Sequence, residues 1–192
     1  MDKAKPEIEK KFLIRLDNLD EIKSKYDYSL FDIYQTYLYS NKPDEERRIR
    51  QKTQYFDPHW SEEDRDTEYY FTTKTGTGFI RVEEEIKLNK EMYDLLKDFS
   101  ISDTFHKRRY SIKYLGLTYE INVYDWWIGV GIMEVELSSE LEYPVLPPEI
   151  VVIADVTNDS RFSNYSLSFN PCIEMADIME ESGYYRRIKC SN

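Results

Sequence analysis

The hexapeptide EIEKKF, residues 7–12, places Glu7, Glu9 and Lys11 on alternate positions. In a β-strand successive side chains point to opposite faces, so these three charges share one face. A strand with one side in water accounts for this hexapeptide by itself. The same parity recurs along the chain, however. Arg48 and Arg50 flank Ile49; Arg81, Glu83 and Glu85 share a side, as do Lys107 and Arg109; Glu120 and Asn122 bracket Ile121, with Val123 beyond; Glu134 and Glu136 bracket Val135. With Lys74, these stretches carry seven carboxylates (Glu7, Glu9, Glu83, Glu85, Glu120, Glu134 and Glu136) against seven bases (Lys11, Arg48, Arg50, Lys74, Arg81, Lys107 and Arg109).

These charges sit in segments rich in Tyr, Phe, Ile, Val and Thr: EKKFLIRL, IYQTYLYS, RRIRQKTQYF, EYYFTTKTG, FIRVEEEIKL, FHKRRYSIKYL, LTYEINVYDWWI and GIMEVELSS. Each reads as a strand. Helical patterns cover 17–26, 90–99 and 170–181, the last with Asn170 as its cap and Pro171 at the first helical position. The expectation is an α+β fold, mostly β. Eight antiparallel strands are enough to close a barrel whose lumen holds side chains and one small ligand. The charged face is then the inside, and helices and loops cover an apolar outside. Residues 56–68 read as an acidic loop between strands, and Pro144, Pro147 and Pro148 as an irregular connection after the last strand.

At 192 residues, 41% of them hydrophobic, the chain suits one domain spanning 1–192. A net charge of −11 argues against a general binder of nucleic acid or anionic membranes. No apolar run is long enough to span a bilayer, and residues 1–6 have no signal-peptide core, so a soluble, cytoplasmic protein is expected. Cys172 and Cys190 have no metal-ligand spacing and read as free thiols; His59 and His106 are isolated and read as surface or structural residues.

Burying so many charges is costly unless each has a partner or the lumen takes a charged ligand. Clustered carboxylates suit hard divalent cations such as magnesium or manganese. Lysine and arginine suit phosphate oxygens. One lumen holding both fits a metal-bound polyphosphate, with Glu7 and Glu9 toward metal and Lys11 toward phosphate.

In these residues the chain resembles the CYTH, or triphosphate tunnel metalloenzyme, family over nearly its whole length. EIEKKFLI is similar to the family's ExExK signature, and YQTYL to the segment that follows it. RRIR, FTTKTG, IRVEEEI, HKRRY, YEINVY, MEVEL and DVTNDSRFSNYSL resemble later family motifs, in the family's order. The resemblance implies an eight-stranded antiparallel tunnel, closed and flanked by helices, that binds a triphosphate with one or two magnesium or manganese ions. It implies that Glu7, Glu9 and Glu136 hold the first metal and that Glu134, with Glu85 or Glu83, helps with a second. Lys11, Arg48, Arg50, Lys74, Arg81 and Arg109 would line the triphosphate, and Lys107 with Tyr37 would form a catalytic pair. Asn122 departs from the family, which usually has Asp there; it offers a neutral oxygen at a metal-ligand position.

The activity so implied is a metal-dependent triphosphatase acting on inorganic tripolyphosphate through attack of water on a terminal phosphorus. The alternatives are an adenylyl cyclase of the class IV type, a thiamine triphosphatase, and a non-catalytic sensor of polyphosphate or nucleotide. The expected partner is a small-molecule triphosphate, with neither nucleic acid nor membrane, for a monomer or homodimer.

Overall fold

The computed structural model of the chain describes residues 5–55, 65–76, 80–139 and 141–171. Nine strands carry the fold: β1 (Lys5–Arg15), β2 (Tyr28–Leu38), β3 (Glu45–Tyr55), β4 (Arg65–Thr75), β5 (Ile80–Leu88), β6 (Phe105–Tyr114), β7 (Leu117–Tyr124), β8 (Val130–Glu136) and β9 (Val152–Asp155). Among the described residues three short α-helices accompany them: α1 (Leu19–Lys25), α2 (Lys90–Leu96) and α3 (Asn164–Phe169). Asn89 caps α2 by accepting from the Met92 amide at 2.8 Å, and Ser163 caps α3 by accepting from Ser166 at 3.0 Å. Each satisfies one of the donors a helix start leaves unpaired.

The strands are ordered β5-β4-β3-β2-β6-β7-β8-β1, every neighbouring pair antiparallel, and β1 returns to β5 to close the ring. This is the expected eight-stranded barrel. Along one flank β1 pairs with β8; along the other it pairs first with β5, from Lys5 to Ile8, and then with β9, from Phe12 to Ile14.

The outward positions are apolar, as the parity predicts. Ile121 and Val135 lie buried on the outside of the sheet, in a cluster that Ile22 of α1 and Ile150 of the proline-containing connection help to cover. Tyr93 of α2 packs over Ile49 and Leu38 with Tyr69 and Phe71 alongside. Burying a large apolar side chain in this way contributes on the order of 2 kcal/mol.

The inward positions change character along each strand. On β1 they run Glu7, Glu9, Lys11 and then Leu13; on β8 they run Glu136, Glu134 and then Ile132 and Val130. Leu13, Ile132 and Val130 join Tyr37, Phe105 and Tyr124 in a buried cluster topped by Trp127, Phe162 and Leu167. The charged lumen therefore stops against an apolar packing region, which Phe162 and α3 help to build.

Several expectations change. Asn170 ends α3, its amide donating to the Ser166 carbonyl at 2.9 Å, and does not open a helix; the remainder of the helix expected over 170–181 lies, from 172, outside the described residues. Residues 65–68 belong to β4 and not to a loop, while 56–64 fall outside the described residues, as do His59, Cys172 and Cys190. The prolines precede one more strand, β9. His106 is structural: on the outer face its ring bridges Asp125 at 2.8 Å and Asp32 at 3.0 Å. Among the described residues no helix is long and apolar enough to cross a membrane.

Candidate active site in the barrel lumen

A cavity of about 260 Å³ occupies the charged part of the lumen. Strand alternation brings to it Glu7, Glu9 and Lys11 from β1, Arg48 and Arg50 from β3, Lys74 from β4, and Arg81, Glu83 and Glu85 from β5. Arg109 on β6, Glu120 on β7 and Glu134 and Glu136 on β8 complete the wall, and Tyr37 of β2 also lines it. A larger outer chamber of about 430 Å³ shares Glu7, Glu9, Lys11, Glu46 and Arg81 with it and opens between α3 and the β2–β3 turn.

Glu134 is the internal counter-ion. Its carboxylate accepts from Lys11 at 2.9 Å, Arg109 at 2.8 Å, Asn122 at 3.0 Å and Asn164 at 3.4 Å. Burial would raise its pKa, but Lys11 and Arg109 outweigh burial and hold it well below the ordinary carboxylate range. Asn122 lies wholly buried behind the cavity wall; its oxygen accepts from Arg109 at 2.8 Å while its nitrogen donates to Glu134. An aspartate could not donate there, and would set a second negative charge against Glu134.

On the opposite wall the ions also pair. Lys74 bridges Glu7 and Glu83, Arg50 meets Glu85, Arg81 meets Glu46 at 2.9 Å, and Arg48 reaches Glu83 at 3.5 Å. Against the cost of burial, Arg48 and Lys74 keep Glu83 charged, its pKa down to about 2. Compensation is incomplete for other groups. Burial, with Arg48 beside it, lowers Arg50; burial, with Arg109 and Arg50, lowers Lys52; burial, with Arg109, takes Lys107 well below the usual lysine range. The Nε atoms of Arg48 and Arg50 are buried without a hydrogen-bond partner. Arg50 and Lys52 are therefore short of negative charge.

Glu7 shows the opposite deficit. Burial pushes its carboxyl up to about 6, with Lys74 opposing and Glu9 and Glu83 adding to the rise. Glu9 and Glu136 stand directly opposite one another on β1 and β8. Among the described residues no three His, Cys, Asp or Glu side chains are gathered closely enough to hold a metal ion as they stand. The Lys11 ammonium pairs with Glu9 at 2.5 Å, and the donor chemistry of Glu7, Glu9 and Glu136 nevertheless fits a hard divalent cation, because all three offer only oxygen.

Lys107 and Tyr37 do not bond to each other. Lys107, buried on β6, donates to Asn164 at 3.2 Å, and the Tyr37 hydroxyl accepts from Gln35 at 2.8 Å. Burial raises Tyr37 above the usual phenol range, so its hydroxyl stays protonated. The residues sequence reading missed are Glu46, Lys52, Tyr70, Asn164 and Tyr165, all of which line the lumen. Parity carried a signal for two of them, since Glu46 and Lys52 continue the alternation of Arg48 and Arg50. Asn164 and Tyr165 enter on a six-residue helix, too short for periodicity to betray it.

The closed eight-stranded barrel and its lumen of opposed charges define the class: the fold is consistent with the CYTH, or triphosphate tunnel, family. Among solved structures the chain is similar to the inorganic triphosphatase NE1496, with 26% identity, a TM-score of 0.54, and coverage of 85% of this chain and 95% of that one. The PH1819 protein from Pyrococcus horikoshii matches with 18% identity and a TM-score of 0.52 over 70% of this chain and 80% of that one, a likeness of fold alone. No family model matches the sequence, and a search of curated proteins finds no match either.

Proposed function

We propose that the chain is a metal-dependent triphosphatase that hydrolyses inorganic tripolyphosphate or a closely related triphosphate. One observation carries this reading: two half-buried cations whose charge the lumen disfavours, Arg50 and Lys52, share a cavity with a carboxylate, Glu7, whose charge it also disfavours. A multiply charged anion bound together with a cation removes both deficits at once. The likeness to an inorganic triphosphatase supports the same reading.

In this reading Lys11, Arg48, Arg50, Lys74, Arg81 and Arg109 bind and orient the phosphate oxygens, and Lys52 joins them. Glu7, Glu9 and Glu136 would hold a divalent cation, which supplies charge neutralisation and polarises phosphate oxygens. Glu134 stays within the protein's own network as the counter-ion of Lys11 and Arg109. Lys107, uncharged, accepts a proton from a water molecule whose oxygen forms a bond to a terminal phosphorus. The bond from that phosphorus to the bridging oxygen breaks, and diphosphate leaves with its negative charge met by the arginines. Tyr37, protonated, offers a hydrogen-bond donor at the same end of the lumen.

The test is phosphate release from tripolyphosphate, thiamine triphosphate and ATP with magnesium or manganese, with cyclic AMP followed alongside. Turnover of tripolyphosphate supports the reading. Cyclic AMP formation, or binding with no turnover of any substrate, overturns it.

A further inference from the structure

Tyr37 of β2 lines the lumen and Lys107 of β6 lies buried behind its wall, and each is met by one of two consecutive residues of α3. Asn164 receives the hydrogen bond of Lys107, and the Tyr165 ring stands edge-on to Tyr37 with centroids 5.0 Å apart. The Tyr124 hydroxyl donates to the same Asn164 oxygen at 2.9 Å, while the amide nitrogen lies 3.4 Å from Glu134. Two donors on one side and a carboxylate on the other fix which way the amide points. The residue is 8% exposed, and Ser163 caps the helix immediately before it.

We propose that Asn164 is a positioning residue for Lys107: its side-chain oxygen sets the direction of the amine at the apolar end of the charged lumen without adding a counter-charge. This rests on the reading of Lys107 as proton acceptor. Lys107 faces Lys11 from β1, Arg48 from β3, Arg109 from its own strand and Glu134 from β8, with the Tyr124 hydroxyl of β7 on the shared acceptor. Three cations against one carboxylate favour the uncharged amine, and burial acts in the same direction. An acceptor bearing a full negative charge would undo this balance. An apolar residue would leave two buried donors without a partner. An amide oxygen avoids both.

The experiment follows the lysine Cε resonances by ¹³C NMR across pH in the full chain, with Lys107 assigned from Lys107→Arg. Wild type, Asn164→Asp and Asn164→Ser are compared, and kcat and KM for tripolyphosphate with magnesium are measured beside them. The Asn164→Asp change is expected to move the Lys107 titration upward by about one pH unit or more. It should lower kcat at neutral pH about tenfold, with KM changed less than about threefold. Asn164→Ser, which keeps an acceptor oxygen, should titrate nearer to wild type and recover part of kcat. A Lys107 titration unmoved in Asn164→Asp, or a raised KM with kcat intact, overturns the proposal. Absence of phosphate release by the wild type would sink the triphosphatase reading alone, because the NMR titration decides the contact without turnover.

Discussion

Glu9 and Glu136 face each other in register across β1 and β8, two carboxylates on the inner side of one strand pair. Like charges directly opposite on a sheet are destabilising, and Lys11, paired with Glu9 at 2.5 Å, only partly offsets this. Glu136→Gln should therefore raise the melting temperature by about 1–3 °C in a chelator, given the usual size scaling. Magnesium should then stabilise the wild type more than the variant. Equal magnesium-induced shifts in thermal unfolding would remove Glu136 from the cation site.

Glu134 offers the complementary test. Its side chain is 4% exposed and answers Lys11 and Arg109 together. Glu134→Gln is expected to cost about 3 kcal/mol, because breaking a buried ion pair strands its partners. A carboxyl held below its ordinary pKa stabilises the fold above the unfolded-state value and loses that contribution as pH falls through the folded one. The stability gap between wild type and variant should thus be full at neutral pH and begin to close below about pH 4.3. Urea unfolding at pH 7 and pH 3.5 measures both; a gap that widens in acid would contradict the assignment.

Lys52 should behave in the opposite sense. It is a lumen cation whose charge the fold disfavours, through burial first and then Arg109 and Arg50. Lys52→Met is expected to raise the melting temperature by about 2 °C. It should also raise KM for tripolyphosphate more than for pyrophosphate, since a longer anion needs more of the lumen's positive charge. Calorimetry and initial rates check the two halves, and a less stable variant with unchanged KM would show that Lys52 serves the fold.

The turn between β6 and β7 carries a strain unrelated to the lumen. Leu115 has φ 47° and Gly116 φ 83°, the two-residue hairpin geometry that Asn-Gly fills well. Leucine in the left-handed region costs about 1–2 kcal/mol, and Leu115 is 70% exposed, so little packing is lost on replacement. Leu115→Asn should stabilise the protein by about 0.5–1 kcal/mol in chemical denaturation. A destabilised variant would mean that the leucine makes contacts this geometry does not require.

The barrel was legible because its message is written in parity. A two-residue period survives in each strand whatever the strand pairs with, so Ile49 and Ile121 went outside while Arg48 and Glu120 went in. Strand order and closure are not encoded that way. β9 was invisible because four residues after a run of prolines carry too little pattern. The cap role expected of Asn170 is reversed: Asn favours helix starts, but it also tolerates the conformations that end a helix, and here it follows Phe169. The positions of the individual acids were readable; how they divide between internal counter-ion and open carboxylate was not, since that depends on which cations lie across the lumen. Glu134 and Glu136 are two residues apart on one strand, yet one is buried among donors and the other exposed.

The double pairing of β1 also has a consequence for how the chain assembles. Its one flank needs β5 and β9, its other flank β8, and the Lys11 amide is held at 3.1 Å by the hydroxyl of Thr157, 146 residues away. The strand synthesised earliest among these can therefore complete its hydrogen bonds only after synthesis has passed β9. Until then its Leu13 and Ile14, both wholly buried in the finished barrel, have no place to go. Contacts of such long sequence separation slow folding and prolong exposure of unpaired strand edges. During synthesis this segment therefore stays without its strand partners until late.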